Sequence, residues 1–158
     1  MSTHSQLLLE IEQMAGTATS AEKLMQEISD RLHAGLARYN WVGFYLVDPK
    51  EPGVLVVGPY TGSFVPHQRI PFGQGMCGAA AASGKTLVAN NVAGEQNYIS
   101  GSEMVKSEIV VPIFVRGKLA AEIDVESYFT NTFSDPADRG FVESIAALVA
   151  RFMEKHPS

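Results

Sequence analysis

The stretch Ile109-Val110-Val111-Pro112-Ile113-Phe114-Val115-Arg116-Gly117-Lys118-Leu119-Ala120-Ala121-Glu122-Ile123-Asp124-Val125-Glu126-Ser127 decides the fold class. Two β-rich runs, 109–115 and 119–127, flank a tight Arg116-Gly117-Lys118 turn, which predicts an antiparallel hairpin. In the second run, Glu122, Asp124 and Glu126 alternate with Ile123 and Val125. Side chains on a strand alternate between faces, so the three carboxylates share one face and the two aliphatic residues the other. The aliphatic face needs a cover from elsewhere in the chain.

Working outward, period two returns at 41–47, at 54–57 and, briefly, at 87–89. Helical spacing marks both ends. Leu7, Leu8, Ile11 and Met14 predict a short amphipathic helix, broken at Gly16-Thr17-Ala18-Thr19. Thr19 followed by Glu22 reads as a capping box opening a second helix, with Leu24, Met25, Ile28, Leu32 and Leu36 as its apolar face. Near the C-terminus, Asp135 suits an N-cap and Pro136 the first helical position, and Asp138 complements the dipole. Phe141, Ile145, Leu148, Val149 and Phe152 then line one side. Gly73-Gln74-Gly75-Met76-Cys77-Gly78 leads into a small-residue helix at 79–82, and 90–105 reads as a long polar loop with one helical turn. The pattern predicts one α+β domain over 1–158, with a central antiparallel sheet. Terminal helices cover one sheet face; the loop and the short helix close a ligand pocket on the other.

The 158 residues, 46% hydrophobic and 18% charged, suit one globular domain with its own core. A net charge of −5 argues against a broad phosphate-binding face, so no nucleic-acid partner is expected. No run approaches the ~20 apolar residues needed to cross a bilayer. The first fifteen residues lack the basic start of a signal peptide. A cytoplasmic protein without a membrane partner is expected. The single cysteine, Cys77, excludes an intramolecular disulfide and a multi-cysteine zinc site. No metal centre and no cofactor is read from the pattern.

Three features could carry chemistry. Clustered carboxylates, with Glu108 across the hairpin from the acidic strand, would repel one another. One could then stay protonated near neutral pH and bind an ammonium, an oxyanion or a cation; the alternative is a solvated sheet face. Trp41, Gly43 and Tyr45 share a strand face opposite Val42, Phe44 and Leu46. That aromatic pair is either a pocket wall for a thioether, sulfonium or amine, or an edge of the core. Cys77 stands at a helix opening, where a thiolate is favoured, yet its small apolar neighbours fit a buried hydrophobe. Backbone N–H groups around Gly75, Met76, Cys77 and Gly78 could hold a carboxylate. His67 reads as an exposed loop histidine.

Five blocks then stand in register: Asn40-Trp41-Val42-Gly43-Phe44-Tyr45-Leu46, Gly58-Pro59-Tyr60-Thr61-Gly62, Arg69-Ile70-Pro71-Phe72-Gly73-Gln74-Gly75-Met76-Cys77-Gly78, Ser107-Glu108-Ile109-Val110-Val111-Pro112 and Ile123-Asp124-Val125-Glu126-Ser127. Together they resemble the signature blocks of the GAF-domain free methionine-(R)-sulfoxide reductases. The resemblance implies a GAF fold and thiol chemistry. In that chemistry a cysteine thiolate attacks the sulfoxide sulfur, methionine leaves, and a second cysteine resolves the sulfenic acid as a disulfide that thioredoxin reduces. The family typically carries three cysteines. Cys77 matches the one after the glycines, His67 stands at the second position, and Gly101 stands where the usual nucleophile lies. Trp41, Tyr45, Glu108 and Asp124 fall on the family's substrate-contact positions. Glu126 replaces the usual Asp, and Glu122 stands where an apolar residue is usual.

The resulting expectation is a small-ligand GAF domain that binds methionine, its sulfoxide or a similar zwitterion. Trp41 and Tyr45 would flank the ligand side chain, Glu108, Asp124 and Glu126 would face its polar end, and the backbone at 75–78 would take its carboxylate. One rival is an active reductase in which Cys77 attacks and an external thiol or thioredoxin resolves. Another is a structural dimerisation domain. A homodimer is expected through the Leu7, Leu8, Ile11 and Met14 stripe.

Overall fold

The structure is a computed structural model that describes residues 2–95, 98 and 102–157. Two helices open the chain, α1 (Thr3–Thr17) and α2 (Ala21–Gly35). Strands β1 (Trp41–Val47), β2 (Val54–Gly62) and β3 (Arg69–Pro71) follow, then helix α3 (Gly75–Ser83) and strand β4 (Leu87–Ala89). The hairpin of β5 (Ser107–Val115) and β6 (Lys118–Ser127) precedes the last helix, α4 (Pro136–Lys155). The strands form one six-stranded sheet in the order β3-β2-β1-β6-β5-β4, antiparallel at every pairing.

Side-chain chemistry places the helix boundaries. The Ser2 and Asp135 side chains accept backbone N–H bonds at the starts of α1 and α4, and Pro136 occupies the first turn of α4 as its fixed φ favours. The capping box expected at Thr19 is not used. Ser20 is the extended residue, and its hydroxyl accepts the Lys23 N–H at 3.1 Å, so α2 begins one residue later. α1 ends within the expected break at 16–19, at Thr17 with Ala18 as its C-cap. In the predicted loop 90–105, one turn of 3-10 helix forms at Val92–Gly94.

Two apolar clusters lie on opposite faces of the sheet. On the first face α2 packs on β1 and β2, α4 packs on β5 and β6, and α1 lies across α2 and α4. Val42, Phe44, Ile109, Ile123 and Val125 point into this layer. Trp41, Tyr45 and Val110 point the other way, toward α3, Leu55 and Ile70. The alternation expected at β1 and β6 therefore holds in detail, and Asp124 lies on the face away from the terminal helices.

The sequence predicts an α1 stripe that the domain covers only in part, the rest being buried in a homodimer. Leu7 and Ile11 are instead buried within the chain's own core, with Leu8 and Met14 packed against it. The apolar residue of α1 that stays in solvent is Leu9, 46% exposed.

Candidate functional site

The site begins with strand register. In the β1–β6 pairing Trp41 stands opposite Glu126, Gly43 opposite Asp124 and Tyr45 opposite Glu122. In β5–β6, Glu108 pairs with Glu126 and Val110 with Asp124. Three rungs thus bring four carboxyls from two strands onto one face of the sheet.

All four are buried: Glu122 is 0% exposed and Asp124 1%. The solvated-face alternative is overturned, because α3 and the segment after β2 cover this side. The carboxyl groups of Glu108 and Asp124, and of Asp124 and Glu126, lie close enough to share a proton. Burial raises the pKa of all four groups well above the ordinary carboxyl range; for Glu108, Asp124 and Glu126 the neighbouring acids raise it further. Tyr45 is likewise pushed up by burial and then by Asp124, so its hydroxyl stays protonated.

Cys77 lies in the first turn of α3, with its thiol among these groups. The helix start does not lower its pKa. Burial, then Asp124 and Glu122, push it up instead, which favours the neutral thiol. The turn before α3 is set by close approach: a Cβ on Gly78 would stand 2.6 Å from the Pro71 carbonyl oxygen. The Gly78 N–H donates to the Gln74 carbonyl at 3.0 Å, so this amide is already used within the turn and does not face a ligand carboxylate.

The cavity at this site is lined by Tyr45, Gly75, Met76, Cys77, Glu108, Asp124 and Glu126, all expected, and by Phe64, Pro66, His67, Ile70 and Gln74. Its interior of about 20 Å³ matches a single water-sized sphere. Trp41 is not on the wall. Its indole stacks with Tyr60 at 5.3 Å and with Phe64 at 5.4 Å between ring centroids, and its Nε1–H donates to the Phe64 carbonyl. Gly62 permits that position, since a Cβ there would stand 2.2 Å from the Trp41 ring. Phe64 gave no periodic signal, because it sits in a connection, and only its packing reveals it. Gly101, at the family's nucleophile position, lies outside the described residues.

A family model for the GAF domain matches residues 18–154. The free methionine-R-sulfoxide reductase of Escherichia coli is 33% identical over 135 residues, 85% of this chain and 79% of that protein. The chain belongs to this GAF-domain family. Protein YtsP of Bacillus subtilis is 36% identical over 140 residues, covering 89% of this chain and 84% of YtsP. Free methionine-R-sulfoxide reductase from Neisseria meningitidis, solved in complex with its substrate, superposes with a TM-score of 0.89 at 32% identity, over 96% of this chain and 88% of that one. This GAF domain is thus related to the free methionine-R-sulfoxide reductases while carrying one cysteine, Cys77, in 158 residues. Among the described residues, no helix is long and apolar enough to cross a membrane.

Proposed function

We propose that this GAF domain binds free methionine, its sulfoxide or a similar small zwitterion in the acid-floored cavity, without completing a thioredoxin-driven reductase cycle. The observation that carries the reading is the linked Glu108–Asp124–Glu126 carboxyl chain facing a cavity beside a lone, protonated thiol. Carboxyls that share protons can donate to a sulfoxide oxygen or accept from an ammonium. Tyr45 and Met76 offer apolar walls to the ligand side chain. Entry of a methionine requires the wall to move, since the cavity holds about one water, and Phe64, stacked on Trp41, is part of that wall. Trp41 fluorescence therefore reports binding.

Intramolecular thiol–disulfide turnover needs two thiols, and the chain has one. The rival in which Cys77 attacks and an external thiol resolves meets a buried thiol whose pKa is pushed up by its acidic neighbours. In calorimetric titration with a chelator present, methionine or its sulfoxide is expected to bind with one site per chain. Thioredoxin-coupled NADPH consumption with free methionine-(R)-sulfoxide is expected to stay at background. Turnover that is abolished by Cys77→Ser would overturn the binding-only reading in favour of a single-cysteine reductase. Absence of heat and of any Trp41 fluorescence change would leave a structural domain. A cytoplasmic setting and self-association belong to the same proposal; the unpaired Cys77 supports the first.

A further inference from the structure

Glu122 has no role in the zwitterion reading. It stands where the resemblance predicts an apolar side chain, yet it is fully buried, and neither carboxyl oxygen has a hydrogen-bond partner of normal geometry. Asp124 Oδ1 is a second buried oxygen in the same condition. An unpartnered buried carboxyl oxygen is destabilising, and fold stability alone does not select for it. The group that favours the ionised form of Glu122 is the Cys77 thiol, which faces it.

Around the second of these, Asp124, donor atoms converge at the cavity. Cys77 Sγ and one carboxylate oxygen each from Glu108 and Asp124 lie within 4.8 Å of one another, and all three residues are buried. Four acids and a thiol crowd this side of the sheet, and neither Lys nor Arg is among the residues lining the cavity. The cavity, about 20 Å³, admits an ion without any side chain having to move.

We propose that Cys77, Glu108 and Asp124, with Glu122 facing the thiol, bind one thiophilic divalent cation of the zinc and cobalt class. One sulfur and two carboxylate oxygens match the donor preferences of a borderline-soft metal, and disfavour magnesium or calcium, which take oxygen donors alone. Three protein ligands leave a fourth tetrahedral position open to water or to a ligand in the cavity. The ion supplies positive charge to this acidic floor and holds the thiol as a thiolate, with the thiol proton and the protons of Glu108 and Asp124 released to solvent. Glu122 adds carboxylate charge beside the sulfur; the unusual residue thereby acquires a reason. The cation site shares the cavity with the proposed zwitterion site but does not depend on it.

Cobalt(II) titrated into the metal-free full-length protein, with no amino acid present, tests the site directly. Because Cys77 is the sole cysteine, a sulfur-to-metal charge-transfer band in the near-ultraviolet reports its ligation without any variant. The expected result is that band, saturating at one Co²⁺ per chain and displaced by Zn²⁺. Cys77→Ser is expected to remove it, and Glu122→Gln to weaken Co²⁺ binding at least about tenfold. A wild-type spectrum without the band, or a band that survives Cys77→Ser in folded protein, overturns the proposal. Equal Co²⁺ affinity in wild type and Glu122→Gln overturns the part assigned to Glu122. Methionine binding is measured separately in chelator, so either site can fail without the other.

Discussion

At the scale of single residues, the acids on β6 make the protein sensitive to pH in an unusual direction. A solvated Glu122 would titrate near 4.5, whereas burial holds the folded carboxyl well above this. Between those two values the native state keeps a proton that the unfolded chain has already released. The stability linked to Glu122 is thus fully present below the lower value. It is lost as pH rises toward the higher one, by up to about 1.4 kcal/mol per pH unit. Urea denaturation in chelator is expected to show the wild type losing more stability than Glu122→Gln between about pH 5 and pH 7. Parallel slopes would mean that Glu122 ionises in the fold at its ordinary value. Cys77 and Tyr45, both pushed upward by burial and then by Asp124, stay protonated across that range and add no slope of their own.

At the scale of elements, the β5–β6 hairpin has to hold Glu108 and Asp124 in register, and its turn does much of that work. Arg116 has φ of 52° and Gly117 φ of 78°, the two positive angles of a two-residue hairpin turn whose twist matches the strands. A β-carbon at the second position is strained there, so Gly117→Ala is expected to cost about 1 kcal/mol or more. A chemical-denaturation midpoint for Gly117→Ala equal to that of wild type would show that the turn relaxes freely. The bulge between Ile113 and Phe114 lies between this turn and the acids. Beyond it, Val110 and Asp124 stay paired, as do Glu108 and Glu126, and the carboxyl chain remains intact.

At the scale of the whole molecule, the sheet divides the protein into a structural face and a chemical face. The structural face depends on α1, which spans α2 and α4 and buries Leu7 and Ile11 between them. Ile11→Ala is therefore expected to destabilise the fold by about 2–5 kcal/mol in urea melts. Leu9→Ala, at a half-exposed position, is expected to stay within about 0.5 kcal/mol of wild type. Were α1 chiefly a dimer contact, Ile11→Ala would change the light-scattering mass while leaving a melt at low protein concentration unmoved. The chemical face has a thinner cover, α3 and the Phe64 segment, which suits a face that must admit a ligand.

The sequence by itself determined the alternation on β1 and β6, the hairpin, the start of the last helix and the α+β class, because these follow from period and from local capping chemistry. It also marked Glu108, Asp124, Glu126, Tyr45 and Cys77 as residues worth joining. The tertiary structure decided what those residues are. Only burial under α3 turns a row of acids into proton-sharing carboxyls, since the same alternation describes a wet face equally well. Only packing shows that Phe64 stands over Trp41 and that the α1 stripe is satisfied within the chain. Ser20 and Thr19 are equivalent cap chemistry, and the chain's path alone chose between them. Glu122 is the sharpest case. Its place on the strand is a matter of period, but its isolation from hydrogen-bond partners beside Cys77 arises from contacts between elements distant in sequence.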